Sequence, residues 1–292
     1  MTLIVAQKHM NLPKSIALAC CAIVALSANG LSANAAETRV ENRTFADWCR
    51  EKNSLSPEAK HTVEMLLKEA GTTECDAANQ KLSTLTELDL IFNKISDIKP
   101  LESLTNLRQL KLSGNKISDI KPLQSLTNLT ELWLNNNLLG DIKPLQSLTN
   151  LTALNLGGNL LGDIKPLESL TNLTFLILRD NQISDIKPLE SLTNLAFLNL
   201  RDNQISDIKP LESLTNLTRL KLNKNQINGI KPLESLTNLT WLDLSDNKIS
   251  DIKPLQSLTN LTEILLSGNP IAPKTCPLKP ESICKWEPRI QP

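Results

Sequence analysis

Side chains that could perform acid–base or nucleophilic chemistry are scarce in this sequence. Histidine occurs only at His9 and His61, and tyrosine does not occur at all. Catalytic triads, histidine zinc sites and imidazole proton transfer all depend on histidines that this chain lacks. The shortage predicts a protein that is not an enzyme and that holds no cofactor.

Cysteine is the other residue type that could carry chemistry, either in a disulfide or as a metal ligand. Cys49 and Cys75 precede a long array of internal repeats, and Cys276 and Cys284 follow it. Cys20 and Cys21 lie within the first 35 residues, which we expect to be removed, and the remaining four cysteines allow three pairings. Because a stiff array holds its two ends apart, we expect the disulfides Cys49–Cys75 and Cys276–Cys284. The alternative is a metal site, but there is no CxxC spacing and no nearby histidine to support one.

The first 35 residues have the features of a secretory signal peptide. Lys8 and Lys14 precede an uncharged apolar stretch from 16 to 26, and an Ala-Asn-Ala sequence ending at Ala35 offers a cleavage site. The stretch is too short to span a bilayer as a stable helix. We therefore expect a secreted or extracytoplasmic protein, in the periplasm or at the cell surface, without stable membrane insertion. An uncleaved anchor is the alternative.

Composition and charge predict a folded chain whose partner is not a polyanion. Hydrophobic residues make up 40% of the sequence and charged residues 21%, which is typical of globular proteins. The formal net charge is zero, and removal of residues 1–35 takes away two lysines and no acid. A chain so nearly neutral is not expected to bind nucleic acid or an anionic membrane as its main partner.

A 22-residue repeat dominates the sequence and holds its phase through eight full units and one partial unit. The unit that starts at Leu107 reads LRQLKLSGNKISDIKPLQSLTN, which is LxxLxLxxN followed by IxDIKPLxSLTN. The first leucines of the units are Leu85, Leu107, Leu129, Leu151, Leu173, Leu195, Leu217, Leu239 and Leu261.

Each unit predicts one short strand, because its leucines alternate with residues of other types. A lone unit cannot bury enough apolar surface to fold, so successive units must stack and pair their strands in parallel. The proline of each DIKPL segment favours a short 3-10 turn on the outer side. The asparagine that follows each strand is expected to bond the backbone of adjacent turns: Asn93, Asn115, Asn137, Asn159, Asn181, Asn203, Asn225, Asn247 and Asn269.

The repeat closely resembles the 22-residue units of internalin-type bacterial leucine-rich-repeat proteins, over residues 85–271. With the stacking argument, the resemblance implies an α/β fold, a right-handed leucine-rich-repeat solenoid curved into an arc. The parallel sheet lies on the concave face, the 3-10 turns lie on the convex face, and a small helical cap covers the N-terminal end. The resemblance also implies an extracellular protein-binding module, which we expect to be monomeric.

The ends of the array must be covered by polar caps, since an open core would aggregate. We predict an N-terminal cap over residues 36–84 and a C-terminal cap over residues 272–292. In the first cap, Ser56 and Pro57 favour a helix start and Gly71 favours its end. We expect Phe45 and Trp48 to pack against this helix.

The candidate binding residues lie between the inward leucines, at strand positions that should face water. Four of the eight Phe and Trp residues of the chain occupy such positions, together with several basic residues. Aromatic residues and arginine are the usual anchors of protein interfaces. We therefore predict that another protein or an extended peptide binds on the concave face to Trp133, Phe175, Ile177, Arg179, Phe197, Arg201, Arg219, Lys221 and Trp241.

Duplication offers another explanation for part of this set. Residues 168–190 and 190–212 are nearly identical, so Phe197 and Arg201 are also explained as copies of Phe175 and Arg179. Trp133 and Trp241 lie outside that duplication. A passive envelope scaffold without a specific ligand is therefore the alternative function.

An enzyme acting on wall polymers is a further alternative, with Glu87 and Asp89 as a carboxylate pair. No pocket-forming insertion interrupts the array, which argues against it. Asp180, Asp202 and Asp246 recur near strand ends, but no loop geometry there supports calcium, and we expect no metal. Triplets such as Asn128-Leu-Thr match a glycosylation pattern, although repeat phase alone explains them.

Overall fold

The computed structural model describes residues 43–288. The predicted signal peptide, residues 1–35, lies outside the described residues. Residues 36–42 of the predicted N-terminal cap and residues 289–292 of the predicted C-terminal cap also lie outside them. Within residues 43–288 no helix is both long enough and apolar enough to cross a bilayer.

Three helices form the N-terminal cap: α1 (Phe45–Arg50), α2 (Pro57–Ala70) and α3 (Cys75–Leu82). The helix expected between Ser56 and Gly71 is confirmed as α2. The Ser56 hydroxyl accepts a hydrogen bond from a backbone N–H of its first turn, and Gly71 ends the helix with a φ of 66°. No helix was expected at α1 or α3, because each is too short to show a clear apolar period.

Helix α2 docks onto the first repeat through polar contacts as well as apolar ones. His61 Nε2 lies 2.7 Å from the carbonyl oxygen of Asn93. The hydroxyl of the fully buried Thr62 donates to the carbonyl of Asp97 at 2.6 Å. Phe45 and Trp48 are buried in the same core, as expected. The single histidine of the described residues therefore contacts the first repeat from the cap.

The repeats form one parallel sheet in sequence order, and each strand is shifted by one unit from the next. This confirms the predicted solenoid, including its 3-10 turns. The strands are β1 (Glu87–Asp89), β2 (Gln109–Lys111), β3 (Glu131–Trp133), β4 (Ala153–Asn155), β5 (Phe175–Ile177), β6 (Phe197–Asn199), β7 (Arg219–Lys221), β8 (Trp241–Asp243), β9 (Glu263–Leu265) and β10 (Cys284–Lys285).

The tenth strand comes from the C-terminal cap and was not expected. Cys284 and Lys285 pair in parallel with Ile264 and Leu265, so the cap extends the sheet by one strand. The disulfide Cys276–Cys284 joins this strand to the segment before it, and Cys49–Cys75 joins α1 to α3. Both pairings are those predicted from the cysteine positions.

The recurrent asparagines form the predicted hydrogen-bonded ladder inside the solenoid. The Asn159 amide donates to the carbonyls of Leu156 at 2.9 Å and Leu134 at 3.1 Å, and its oxygen accepts from the N–H of Leu139 at 3.0 Å. The same bonds recur from Asn115 to Asn269, so each of these amides ties two units together.

A second asparagine ladder lies on the outside of the solenoid and was not anticipated. The Asn128 amide donates to the carbonyl of Thr105 at 2.9 Å, and Asn150 donates to that of Thr127 at 2.9 Å. The pattern repeats in the following units. The Asn-Leu-Thr triplets therefore have a structural role in joining neighbouring units.

Candidate binding site on the sheet face

The outward side of the sheet is the candidate site, and we call it the sheet face. Along each strand the leucines point into the core, and the residues between them point away from it. The middle leucine of β5, Leu176, has no exposed surface, whereas Phe175 and Ile177 on either side of it are half-buried. Trp133, Phe197 and Trp241 are half-buried in the same way, so all four predicted aromatic residues lie on the sheet face.

Three of the aromatic rings form a continuous group, which we call the aromatic stack. Phe175 and Phe197 are register partners on adjacent strands, and their rings stack with centroids 4.6 Å apart and an interplanar angle of 11°. The ring of Trp133 meets Phe175 at 6.0 Å with a tilt of 44°. The strand spacing of about 4.8 Å produces this contact, because it matches the distance at which aromatic rings attract each other.

Trp241 is separated from the stack and has its own polar contacts. Its indole N–H donates to Glu263 at 3.0 Å, and Lys221 Nζ lies 5.4 Å from its ring centroid, within the range of a cation–π contact. Arg219 lies between Phe197 and Trp241 in the register of the sheet. A basic residue therefore lies between the stack and the second tryptophan.

The basic residues of the site differ in how far they are neutralised within the chain. Arg179 forms an ion pair with Asp180, the next residue. Among residues 43–288, neither Arg201 nor Arg219 forms an ion pair, and Arg219 is exposed. Lys221 faces Trp241 and lies near Asp243. Arg201, Arg219 and Lys221, which we call the basic cluster, therefore carry positive charge that the sheet face only partly balances.

Some side chains at outward positions form hydrogen bonds with the protein's own backbone and are not available to a partner. Asn155 and Asn199 are buried, and each side-chain oxygen accepts the N–H two residues further along its own strand end, at 3.1 Å in both cases. The expectation that every outward residue faces water is therefore wrong at these positions. Both amides take part in the turn that follows the strand.

Asp243 occupies the equivalent position on β8 and is a carboxylate in place of an amide. Its side chain accepts from the Ser245 N–H at 3.0 Å and from the Ser245 hydroxyl at 2.5 Å. Burial raises the pKa of Asp243 above its ordinary value of 3.8, although the bonds from Ser245 and the charge of Lys221 act in the opposite direction. This residue was not among the predicted site residues.

Three polar atoms on the sheet face are buried and have no hydrogen-bond partner within the described part of the chain. They are Trp133 Nε1, Arg201 Nε and Asn223 Oδ1. Arg201 and Asn223 are neighbours, since the backbone N–H of Asp202 donates to the carbonyl of Asn223 at 3.0 Å. Unpaired buried polar groups are uncommon in folded proteins. No sequence signal distinguishes Asn223 from the other asparagines of the array.

Among residues 43–288, the carboxylates considered as catalytic or calcium-binding groups do not form a site comparable to the aromatic stack and its basic neighbours. Glu87 and Asp89 are both exposed on the first strand, and Asp89 lies 4.0 Å from Lys111. Asp180, Asp202 and Asp246 each adopt a positive φ at a strand end. In residues 43–288 there is no group of three or more His, Cys, Asp or Glu side chains arranged to hold a metal ion.

Comparisons with known proteins agree with this architecture. No curated protein sequence matches the chain. A family profile described as Leucine Rich repeats (2 copies) matches residues 83–125, 127–169, 171–213, 193–236 and 237–279.

Among solved structures, internalin C2 from Listeria monocytogenes is similar at a TM-score of 0.68 and 35% identity, covering 74% of this chain and 96% of that protein. The functional domain of InlJ from the same organism is similar at a TM-score of 0.59 and 27% identity, covering 78% of this chain and 53% of that protein. A third similar structure is the ectodomain of the plant receptor kinase GASSHO1/SCHENGEN3 from Arabidopsis thaliana, solved in complex with CASPARIAN STRIP INTEGRITY FACTOR 2. Its TM-score is 0.58 and its identity is 27%, and the match covers 66% of this chain and 25% of that protein. The chain belongs to the leucine-rich-repeat family and, within it, to the internalin-type bacterial proteins.

Proposed function

We propose that the protein is a non-catalytic recognition module that binds another protein, or an extended peptide, across the middle of its sheet face. The observation that carries the proposal is the aromatic stack of Trp133, Phe175 and Phe197, which is half-exposed on a sheet whose other outward residues are mostly polar. Large aromatic side chains and arginine supply most of the binding energy in protein interfaces.

The family supports this function in a general way. Leucine-rich-repeat solenoids commonly mediate protein binding, and the similar Arabidopsis ectodomain was solved in complex with CASPARIAN STRIP INTEGRITY FACTOR 2. Trp133 and Trp241 add support from within the chain, because both lie outside the duplicated units and repetition does not explain them.

We also propose that binding takes place outside the cytoplasm. The two disulfides support this location, since disulfides persist in oxidising compartments. The basic and then apolar N-terminal sequence with its Ala-Asn-Ala site supports the same location.

The test is affinity capture with the full chain, identification of the captured protein, and titration of that protein against variants. Phe175→Ala and Trp241→Ala should each weaken binding by about 2 kcal/mol, because each removes an aromatic anchor from the middle of the surface. Circular dichroism should show that both variants keep the fold.

Leu160→Ala is the matched control, because Leu160 is 53% exposed but lies outside the sheet face. It should bind the captured protein like the parent. If Phe175→Ala and Trp241→Ala also bind like the parent, the sheet face is not the binding site. Failure to capture any specific protein would favour a passive scaffold.

A further inference from the structure

The sheet face carries an uneven distribution of charge that restricts the kind of partner it can accept. The basic cluster of Arg201, Arg219 and Lys221 lies directly beside the aromatic stack, since Phe197 pairs with Arg219 in the sheet. An exposed or half-buried guanidinium next to apolar rings is a site at which a carboxylate gains strong, directional hydrogen bonds.

Arg201 and Asn223 add independent evidence that a polar ligand group belongs here. Arg201 Nε is a buried donor and Asn223 Oδ1 is a buried acceptor, and neither has a partner among residues 43–288. Asn223 is only 8% exposed and follows β7 on the outward side of the chain. Each unpaired atom costs about 1–3 kcal/mol, so a side-chain shift that brings either atom to a polar group of a bound peptide would be favoured.

The positive region is small and is bounded by acidic residues. Asp202 lies 3.9 Å from Lys224 at one border, and Asp243 and Asp246 lie at the other. A polymer with closely spaced phosphates would meet these carboxylates as well as the basic cluster and would be repelled by them. A peptide with one or two acidic residues fits the charge pattern better.

We propose that the partner segment is an extended peptide in which an aromatic or large apolar residue lies about three residues from an acidic residue. This rests on the proposed function and specifies its ligand. The apolar side chain packs on Phe175 and Phe197, and the carboxylate pairs with Arg219 and Lys221. Phe175 and Arg219 are two strands apart, about 10 Å, which is the length of about three residues of extended chain.

The experiment selects peptides from a displayed library of random dodecapeptides on the immobilised full chain. Enriched peptides should combine an aromatic or large apolar residue with Asp or Glu about three residues away. Replacing that acid with its amide should weaken binding at least tenfold. Enrichment of peptides without acidic residues would overturn the proposal.

Charge reversal in the protein tests which residues meet the acid. The double variant Arg219→Glu with Lys221→Glu should lose at least tenfold in affinity for the acidic peptides and should prefer peptides with lysine at the same place. Lys209→Glu, at an exposed position on a 3-10 turn, is the control and should leave binding unchanged. Equal affinity of parent and double variant for the acidic peptides would overturn the proposal.

The outcomes separate this inference from the proposed function. Peptides that depend on Phe175 and Trp241 but not on the basic cluster would leave the function standing and refute the acidic ligand. Peptides indifferent to both sets of residues, or no enrichment at all, would refute the acidic peptide ligand. The proposed function would then be decided by the variants Phe175→Ala and Trp241→Ala against the captured protein. Salt-sensitive binding of a duplex oligonucleotide that disappears in the double variant would assign the cluster to phosphate and overturn the acidic peptide.

Discussion

At the scale of single residues, asparagine performs three different tasks in this chain. Asn159 and its equivalents are buried and tie adjacent units together, whereas Asn150 and its equivalents make one exposed bond on the outside. Asn155 and Asn199 close the turn after their own strands. One residue type thus serves repeatedly because its amide both donates and accepts, which backbone groups in a stacked array require.

Asp243 is the exception among these turn-closing residues, and it predicts a pH effect on stability. The pKa of Asp243 is raised in the folded protein by burial, so the ionised carboxylate destabilises the fold at neutral pH. This cost is fully present above the folded pKa and is relieved as the pH falls from that value towards 3.8, the ordinary value. Asp243→Asn, which copies Asn199, should therefore be more stable than the parent at pH 7.

Denaturant melts at several pH values measure this effect. The advantage of Asp243→Asn over the parent should shrink as the pH is lowered towards 4. Asp246→Asn, on an exposed neighbouring position, controls for the loss of one negative charge. An advantage that stays constant with pH, or a variant less stable than the parent at pH 7, would contradict the assignment.

At the scale of the element, the 3-10 turns of all units but one are held by an aspartate two residues before the lysine of the Lys-Pro sequence. Asp207 accepts the N–H of Lys209 at 2.8 Å, and Asp251 accepts that of Lys253 at 2.9 Å. The unit between them has Gly229 at this position. A side chain added at Gly229 would meet no atom within 4 Å. This turn is therefore the one in the array that lacks its side-chain cap.

Gly229→Asp should stabilise the protein by about 0.5–2 kcal/mol, because it adds the missing bond and restricts the unfolded chain. Gly229→Ala is the matched control, since it supplies only the restriction. Urea denaturation should give the aspartate variant a higher free energy of unfolding than the alanine variant, and both should exceed the parent. Equal stability of the two variants would show that the aspartate bond contributes nothing to these turns.

At the scale of the whole molecule, stability depends on contacts between neighbouring units and on the two caps. The C-terminal cap adds strand β10 to the sheet, and the N-terminal cap docks α2 on the first unit. Because each unit contacts only its neighbours, damage at one end is expected to loosen the adjacent units first.

Thr62→Val tests the attachment of the N-terminal cap. It keeps the shape of a fully buried side chain but leaves the carbonyl of Asp97 without its 2.6 Å hydrogen bond. The free energy of unfolding should fall by about 1–3 kcal/mol. Hydrogen exchange should become faster in the first repeat before it changes in the central ones. Thr127→Val, at an exposed position, is the control and should change neither the free energy of unfolding nor the hydrogen exchange of the first repeat.

Much of this molecule follows from the sequence alone, because the phase of the repeat determines which side each residue faces. Leu176 and its equivalents had to enter the core, and Asn159 had to find partners between units. The separation of Cys49 and Cys75 from Cys276 and Cys284 by a stiff array determined the disulfides. The short helices α1 and α3 and strand β10 were missed, since six, eight and two residues show no readable period.

The availability of each outward side chain was decided only by the tertiary structure. Repeat phase treats Asn199, Asp243 and Lys221 alike, yet the first two are buried in bonds to their own turns and the third is half-exposed and faces Trp241. The stacking of Phe175 on Phe197 and the unpaired Arg201 Nε likewise depend on neighbours 22 residues away. Sequence determines direction along a strand, whereas contacts across strands determine which groups remain free to bind a partner.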